Sequence, residues 1–143
     1  MNNPLDSKLS QNFGLLLARV PLGAYLLLDG YQKFARGIGT FVSNYQSAAE
    51  RWMPPAAASA LLHAMPFMEL AAGAFLVLGI FSRIGGFLAS FILLTVMLAF
   101  TGFTGNGTPF NPSLILLGLA VLLCCVGSGG ISLDRLVWGR GKR

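Results

Sequence analysis

Residues 58–80 read ASALLHAMPFMELAAGAFLVLGI, with one carboxylate, Glu69, one histidine, His63, and no Lys or Arg. About 20 mostly apolar residues are enough for a helix to cross the hydrocarbon core of a bilayer, so this stretch predicts a membrane span. Glu69 falls near its middle. A charged side chain at that depth costs about 2.5–3.5 kcal/mol on insertion scales. It must therefore turn toward protein and find a partner there, which predicts a bundle of helices rather than a single anchor.

Outward from this stretch, three more apolar runs complete the pattern. The spans are expected over residues 13–34, 58–80, 84–101 and 113–131 of one integral membrane domain, residues 1–143. Phe81-Ser82-Arg83 leaves room only for a tight helical hairpin, and residues 102–112, rich in Gly and Pro, read as a loop. The first run carries Arg19 close to its start, unlike the uncharged centre of a signal peptide, and reads as a retained span. Composition agrees: 55% of the 143 residues are apolar and only 10% are charged, where about a quarter is usual in soluble domains. Too few polar residues remain to coat a water-soluble surface, and intrinsic disorder is excluded on the same grounds. The fold class expected is all-α, a four-transmembrane-helix bundle.

Between the first two spans, Phe41, Tyr45, Ala48 and Trp52 recur at helical spacing beside Val42, Ala49 and Met53, opposite Asn44, Ser47 and Glu50. This is an amphipathic helix, lying in the membrane interface with Trp52 as anchor or capping the bundle as a soluble helix. Pro54-Pro55 stops it. With four crossings, Lys8, Arg83, Arg135, Arg140, Lys142 and Arg143 share one side, against Arg36 and Arg51 on the other with Lys33 at its rim. The positive-inside rule then places both termini of this multi-pass protein in the cytoplasm. The net charge of +5 reads as this bias, and the partners expected are lipid and a second subunit or copy of the chain, not nucleic acid.

On the first helix, Arg19, Gly23, Leu26, Gly30 and Lys33 share a face whose glycines admit a close neighbour. Pro66, Glu69, Gly73 and Leu76 form a matching stripe on the second. Setting the stripes together predicts that Arg19 reaches up to Glu69, with Tyr25 level with that carboxylate and His63 at the depth of Asp29. Asp29 and Lys33 are i, i+4 neighbours able to pair within one helix. Two readings stand beside each other: a polar site for a ligand or proton, or buried charges that only fix helix packing.

Other chemistry is excluded by what the chain lacks. Cys124 and Cys125 are adjacent in a helix and cannot bridge; no C-x-x-C spacing or metal-ligand set occurs. One histidine cannot supply both axial ligands of a haem, and neither a phosphate-binding glycine loop nor a nucleophile elbow is present. No intrinsic cofactor is expected, and electron transfer would need a diffusible quinone or a partner's cofactor.

The polar residues also form a family pattern. Arg19, Gly23 and Gly30-Tyr31-Gln32-Lys33-Phe34 resemble the first-helix motif of the DoxX family. Glu69, Gly73 and Leu78-Gly79-Ile80-Phe81-Ser82-Arg83 resemble its second, and Gly127-Ser128-Gly129-Gly130-Ile131-Ser132-Leu133-Asp134 its closing block. Asp29 departs from the motif, standing where the family usually has an uncharged residue or His. The resemblance implies a four-helix inner-membrane protein associated with redox complexes, including small subunits related to thiosulfate:quinone oxidoreductase. It carries over Arg19, Lys33, Glu69, Arg83 and Asp134 as polar positions. Arg83 and Asp134 are then expected to approach at the cytoplasmic rim, or Ser132 and Asp134 to cap a short terminal helix. The function expected is a membrane subunit of a quinone-linked redox assembly, with Arg19 and Glu69 at its polar site. The alternative is a non-catalytic scaffold or small-ligand-binding module.

Overall fold

The computed structural model describes residues 8–98 and 112–126. Five helices follow in order: α1 (Lys8–Arg36), α2 (Ile38–Ala49), α3 (Pro55–Leu78), α4 (Ser82–Val96) and α5 (Pro112–Val126). The described residues contain no strand, so the chain is all-α as its composition requires.

The breaks between helices have local causes. Gly37 turns the chain from α1 into α2 at φ +91°, a conformation that only glycine adopts readily. Pro55 opens α3 at its first position, where a missing N–H costs nothing. Gly79, at φ +70°, ends α3 in the left-handed conformation and donates its N–H to the Phe75 carbonyl, 2.9 Å away. The helix therefore stops at Leu78, two residues before the expected end of that span. Phe81 is left-handed as well, at φ +52°, and its ring meets Phe75 edge-on at 6.3 Å. The reversal into α4 is thus completed within three residues.

Small residues decide how closely the helices approach. A Cβ added at Gly73 would lie 2.7 Å from the Gly23 carbonyl oxygen, and one at Gly23 would lie 2.8 Å from the Val77 side chain. The two stripes read from the sequence therefore do face each other. At a similar level of the bundle, a Cβ on Gly86 would meet the Cys124 backbone nitrogen at 2.7 Å, fixing α4 against α5. Cys124 and Cys125 are free thiols. Leu22, Leu26, Leu76, Ile92, Leu93 and Leu123 fill the core between these contacts.

Helix α2, through Phe41, Val42 and Ala49, and the turn after it, through Met53, pack on the start of α3 against Ala58 and Leu62. The amphipathic stripe therefore divides. Part of it is buried on protein, whereas Trp52 points away from the bundle with 66% of its surface exposed.

The outside of the molecule is apolar. Phe13, Leu17, Leu28, Phe67, Phe87, Phe91, Ile115 and Val126 all stand exposed. Only 28% of the apolar window of α1 and 39% of that of α3 is buried inside the protein, although both helices are long and apolar enough to cross a membrane. The core helix of a soluble protein would hide such a surface. Lipid is the solvent in which this one is stable. Helices α4 and α5 are equally apolar but shorter, at 15 residues each.

Candidate functional site

The close approach of α1 and α3 sets up an ionic cluster. Gly30 lies against α3 so tightly that a Cβ there would be 3.1 Å from both the Glu69 Cβ and the Pro66 carbonyl oxygen. One turn on, Lys33 extends its ammonium between two carboxylates. It donates to Asp29 Oδ2 at 2.8 Å within α1, and to Glu69 Oε1 across the helix interface. The Phe41 ring of α2 covers the same ammonium, its centroid 5.0 Å away, a favourable cation–π position. Phe34 and Phe67 brace the junction edge to face, with centroids 4.9 Å apart.

Burial is graded through the cluster. The Glu69 side chain is fully buried, that of Lys33 is 14% exposed and that of Asp29 38%. Beyond Asp29 a cleft of about 190 Å³ opens between α1 and α2, lined by Asp29, Gln32, Lys33, Arg36, Thr40, Phe41, Asn44 and Tyr45. It joins two cations and a carboxylate to amide and hydroxyl groups, with a tilted aromatic pair, Phe41 and Tyr45, in its wall.

Arg19 takes no part in this cluster, contrary to the pairing expected with Glu69. Its guanidinium is buried against Gly79, where a Cβ would lie 2.6 Å from Arg19 Nη1. Gly79 is ten residues beyond Glu69, roughly 15 Å along the helix. The cation sits at the C-terminal end of α3, where the helix dipole favours positive charge. The reason is register: α3 is offset along α1 by about one turn from the depth estimate, which brings Lys33 rather than Arg19 to the carboxylate.

His63 also lies apart from the cluster, whereas Tyr25 stands at its edge, one turn before Asp29 on α1. Tyr25 is 44% exposed on α1, within electrostatic reach of Asp29, Lys33 and Glu69. His63 is exposed on α3, its Nδ1 donating to the Ser59 carbonyl at 2.8 Å, and it does not join Asp29. Arg83 is exposed in the first turn of α4, and Asp134, its expected neighbour, lies outside the described residues. Reading the sequence alone missed the contribution of α2: Thr40, Phe41 and Asn44, with Gln32 and Arg36 of α1. The spacing of Asn44 on the polar face of α2 was the available signal; which helix that face would meet was not.

The DoxX family model matches residues 14–107. The chain belongs to the DoxX family. The match spans α1 to α4 and includes every residue of the ionic cluster and its cleft. Of the three motif blocks, it covers the two on α1 and at the end of α3; the closing block, residues 127–134, lies beyond it. A DoxX chain with this apolar exterior is a membrane protein. No curated protein and no solved structure matches the chain.

Proposed function

We propose that this DoxX protein is a four-span inner-membrane subunit of a redox assembly, whose Asp29–Lys33–Glu69 cluster and α1/α2 cleft form a quinone-accessible polar site. The observation that carries this reading is Lys33 held between two carboxylates, one of them fully buried, at the head of a cleft. Ionised groups at such depth are costly and mark functional sites in membrane proteins.

The residues present fit a quinone head. Lys33, Thr40, Asn44 and Tyr45 bring hydrogen-bond donors to the cleft, and Phe41 with Tyr45 gives it an aromatic wall. A bound quinone would supply an acceptor of two electrons and two protons, the electrons coming from a partner subunit. Lys33 holds a positive charge where a carbonyl oxygen would gather negative charge, and Glu69 holds a proton out of reach of bulk water. Arg19, placed at the far end of α3, supports the fold there and leaves the site to Lys33.

The test is quinone reduction by membranes containing the protein with its partner. Glu69→Gln and Lys33→Met should each lower the rate by about 10²-fold or more, as removal of a positioned proton-transfer group does, with the protein still inserted. Unchanged rates would refute the site.

One observation favours a second reading. The Lys33–Glu69 pair ties α1 to α3 at their closest interface, which suits a scaffold whose buried charges lock the helices. Under that reading Glu69→Gln lowers the unfolding midpoint in detergent, and no ligand changes that midpoint in the wild type.

A further inference from the structure

Glu69 has different surroundings above and below. Toward α2, the step from Glu69 through Lys33 to Asp29 runs from fully buried to 38% exposed and ends in the cleft. At about 30 Å³ of liquid per water molecule, a volume of about 190 Å³ has room for several waters. Carboxylate, ammonium, guanidinium, amide and hydroxyl groups surround it, the polar partners that a hydrated cavity needs. Glu69 Oε2 has no hydrogen-bond partner among the described residues.

Toward the α3–α4 hairpin the way is shut. The Gly23 and Gly73 backbones touch so closely that even a methyl group would not fit between them. Leu22, Leu26, Ala72 and Leu76 close the seam around them, each at most 1% exposed and none able to carry a proton. The next charge on that side is Arg19, about three turns from the Gly30–Glu69 level along α1 in sequence terms and beyond the seam.

We propose that Glu69 exchanges its proton with water on the α2 side of the membrane only, by way of Lys33 and Asp29, and is insulated from the hairpin side. The proposal rests on reading Glu69 as a proton-carrying group, not on the identity of any quinone. The step balances within the cluster. The Lys33 ammonium passes a proton to the Glu69 carboxylate and becomes an amine. It recovers one from Asp29, whose carboxylate has first taken a proton from a hydronium ion in the cleft. One proton has entered, Glu69 is neutral, and Lys33 and Asp29 are restored. The charged and titratable groups bearing on this path are Asp29, Lys33, Arg36 and Tyr25 of α1 and Tyr45 of α2; α3 adds the exposed His63, α4 presents Arg83, beyond the seam, and α5 presents the Cys124 and Cys125 thiols among its described residues.

The experiment uses the full chain in liposomes of established orientation, with pH stepped separately on each side. Infrared difference spectra report the carboxylic C=O band that disappears in Glu69→Gln. The expected result is a band that follows pH on the α2 side alone and whose response slows by about 10²-fold in Asp29→Asn, as loss of a relay group does. A band that follows pH on the hairpin side, follows both sides, or follows neither overturns the proposal. Should Glu69→Gln fail to insert, a second arm replaces Cys124 and Cys125 by Ser and introduces Asp29→Cys. A water-soluble thiol reagent should then label position 29 from the α2 side only; labelling from the hairpin side, or none, overturns it equally. Quinone reduction unchanged in Glu69→Gln, with a one-sided band in the wild type, would refute the quinone reading and leave this one standing.

Discussion

Lys33 is the residue on which the site turns, because one ammonium answers two carboxylates and an aromatic ring. Removing it strands Glu69 in an apolar interface. Breaking a buried pair from one side typically costs about 3–5 kcal/mol, whereas replacing both partners by apolar groups is often neutral. Lys33→Met should therefore destabilise the protein by that amount in detergent, and Lys33→Met with Glu69→Met should recover most of the loss; denaturant unfolding of the two variants measures the difference. If the double variant were as unstable as the single one, the cluster would not be an ion pair of this kind. Gly79 offers a second test at this scale. Its left-handed backbone and the buried Arg19 guanidinium beside it leave no place for a Cβ. Gly79→Ala should cost at least about 1–2 kcal/mol from the backbone alone, and Gly79→Asn no less, since its larger side chain meets the same guanidinium although Asn tolerates that conformation. Thermal midpoints of the pair decide it.

At the scale of elements, the α1–α3 interface determines which cation meets Glu69. Gly23, Gly30 and Gly73 allow the backbones to touch, and touching helices can slide only by whole ridges. Gly73→Ala forces a Cβ to within 2.7 Å of the Gly23 carbonyl and should cost about 1–3 kcal/mol as overpacking does. It should also loosen the Lys33–Glu69 contact, so that Lys33→Met becomes less damaging in that background. A double-mutant cycle reads this coupling directly; strict additivity would separate the glycine seam from the ionic cluster. The facing of the stripes was legible in the sequence, because helical periodicity and small residues mark an interface without any coordinates. Its register was not. Depth counted from assumed span ends carries an error of a turn, and a turn is the difference between Arg19 and Lys33 as the partner of Glu69.

For the whole molecule, the apolar exterior and the position of α2 set the terms. Large aliphatic and aromatic side chains coat the described helices, and Trp52 stands out beside the junction of α2 and α3. In the four-span arrangement proposed above, the α2 segment lies on one side of the membrane and the α3–α4 hairpin on the other. In a background without Cys124 and Cys125, single cysteines at Ser47 and at Arg83 should react with an impermeant thiol reagent from opposite faces of intact cells, Ser47 from outside. Reaction of both from the same face would refute the four-span topology.

Hydropathy and helical period were enough for the all-α class, the membrane habitat, the helix between the first two spans and the two stripes that meet. Those are local properties, each decided by a few neighbouring residues and by the cost of exposing polar or apolar groups to the wrong solvent. The identity of the ion pair, the withdrawal of Arg19 to the end of α3, and the cleft that α2 builds with α1 were decided only in three dimensions. Each depends on how far one helix slides along another, and that distance is set by the summed fit of many side chains, which no single stretch of the chain contains.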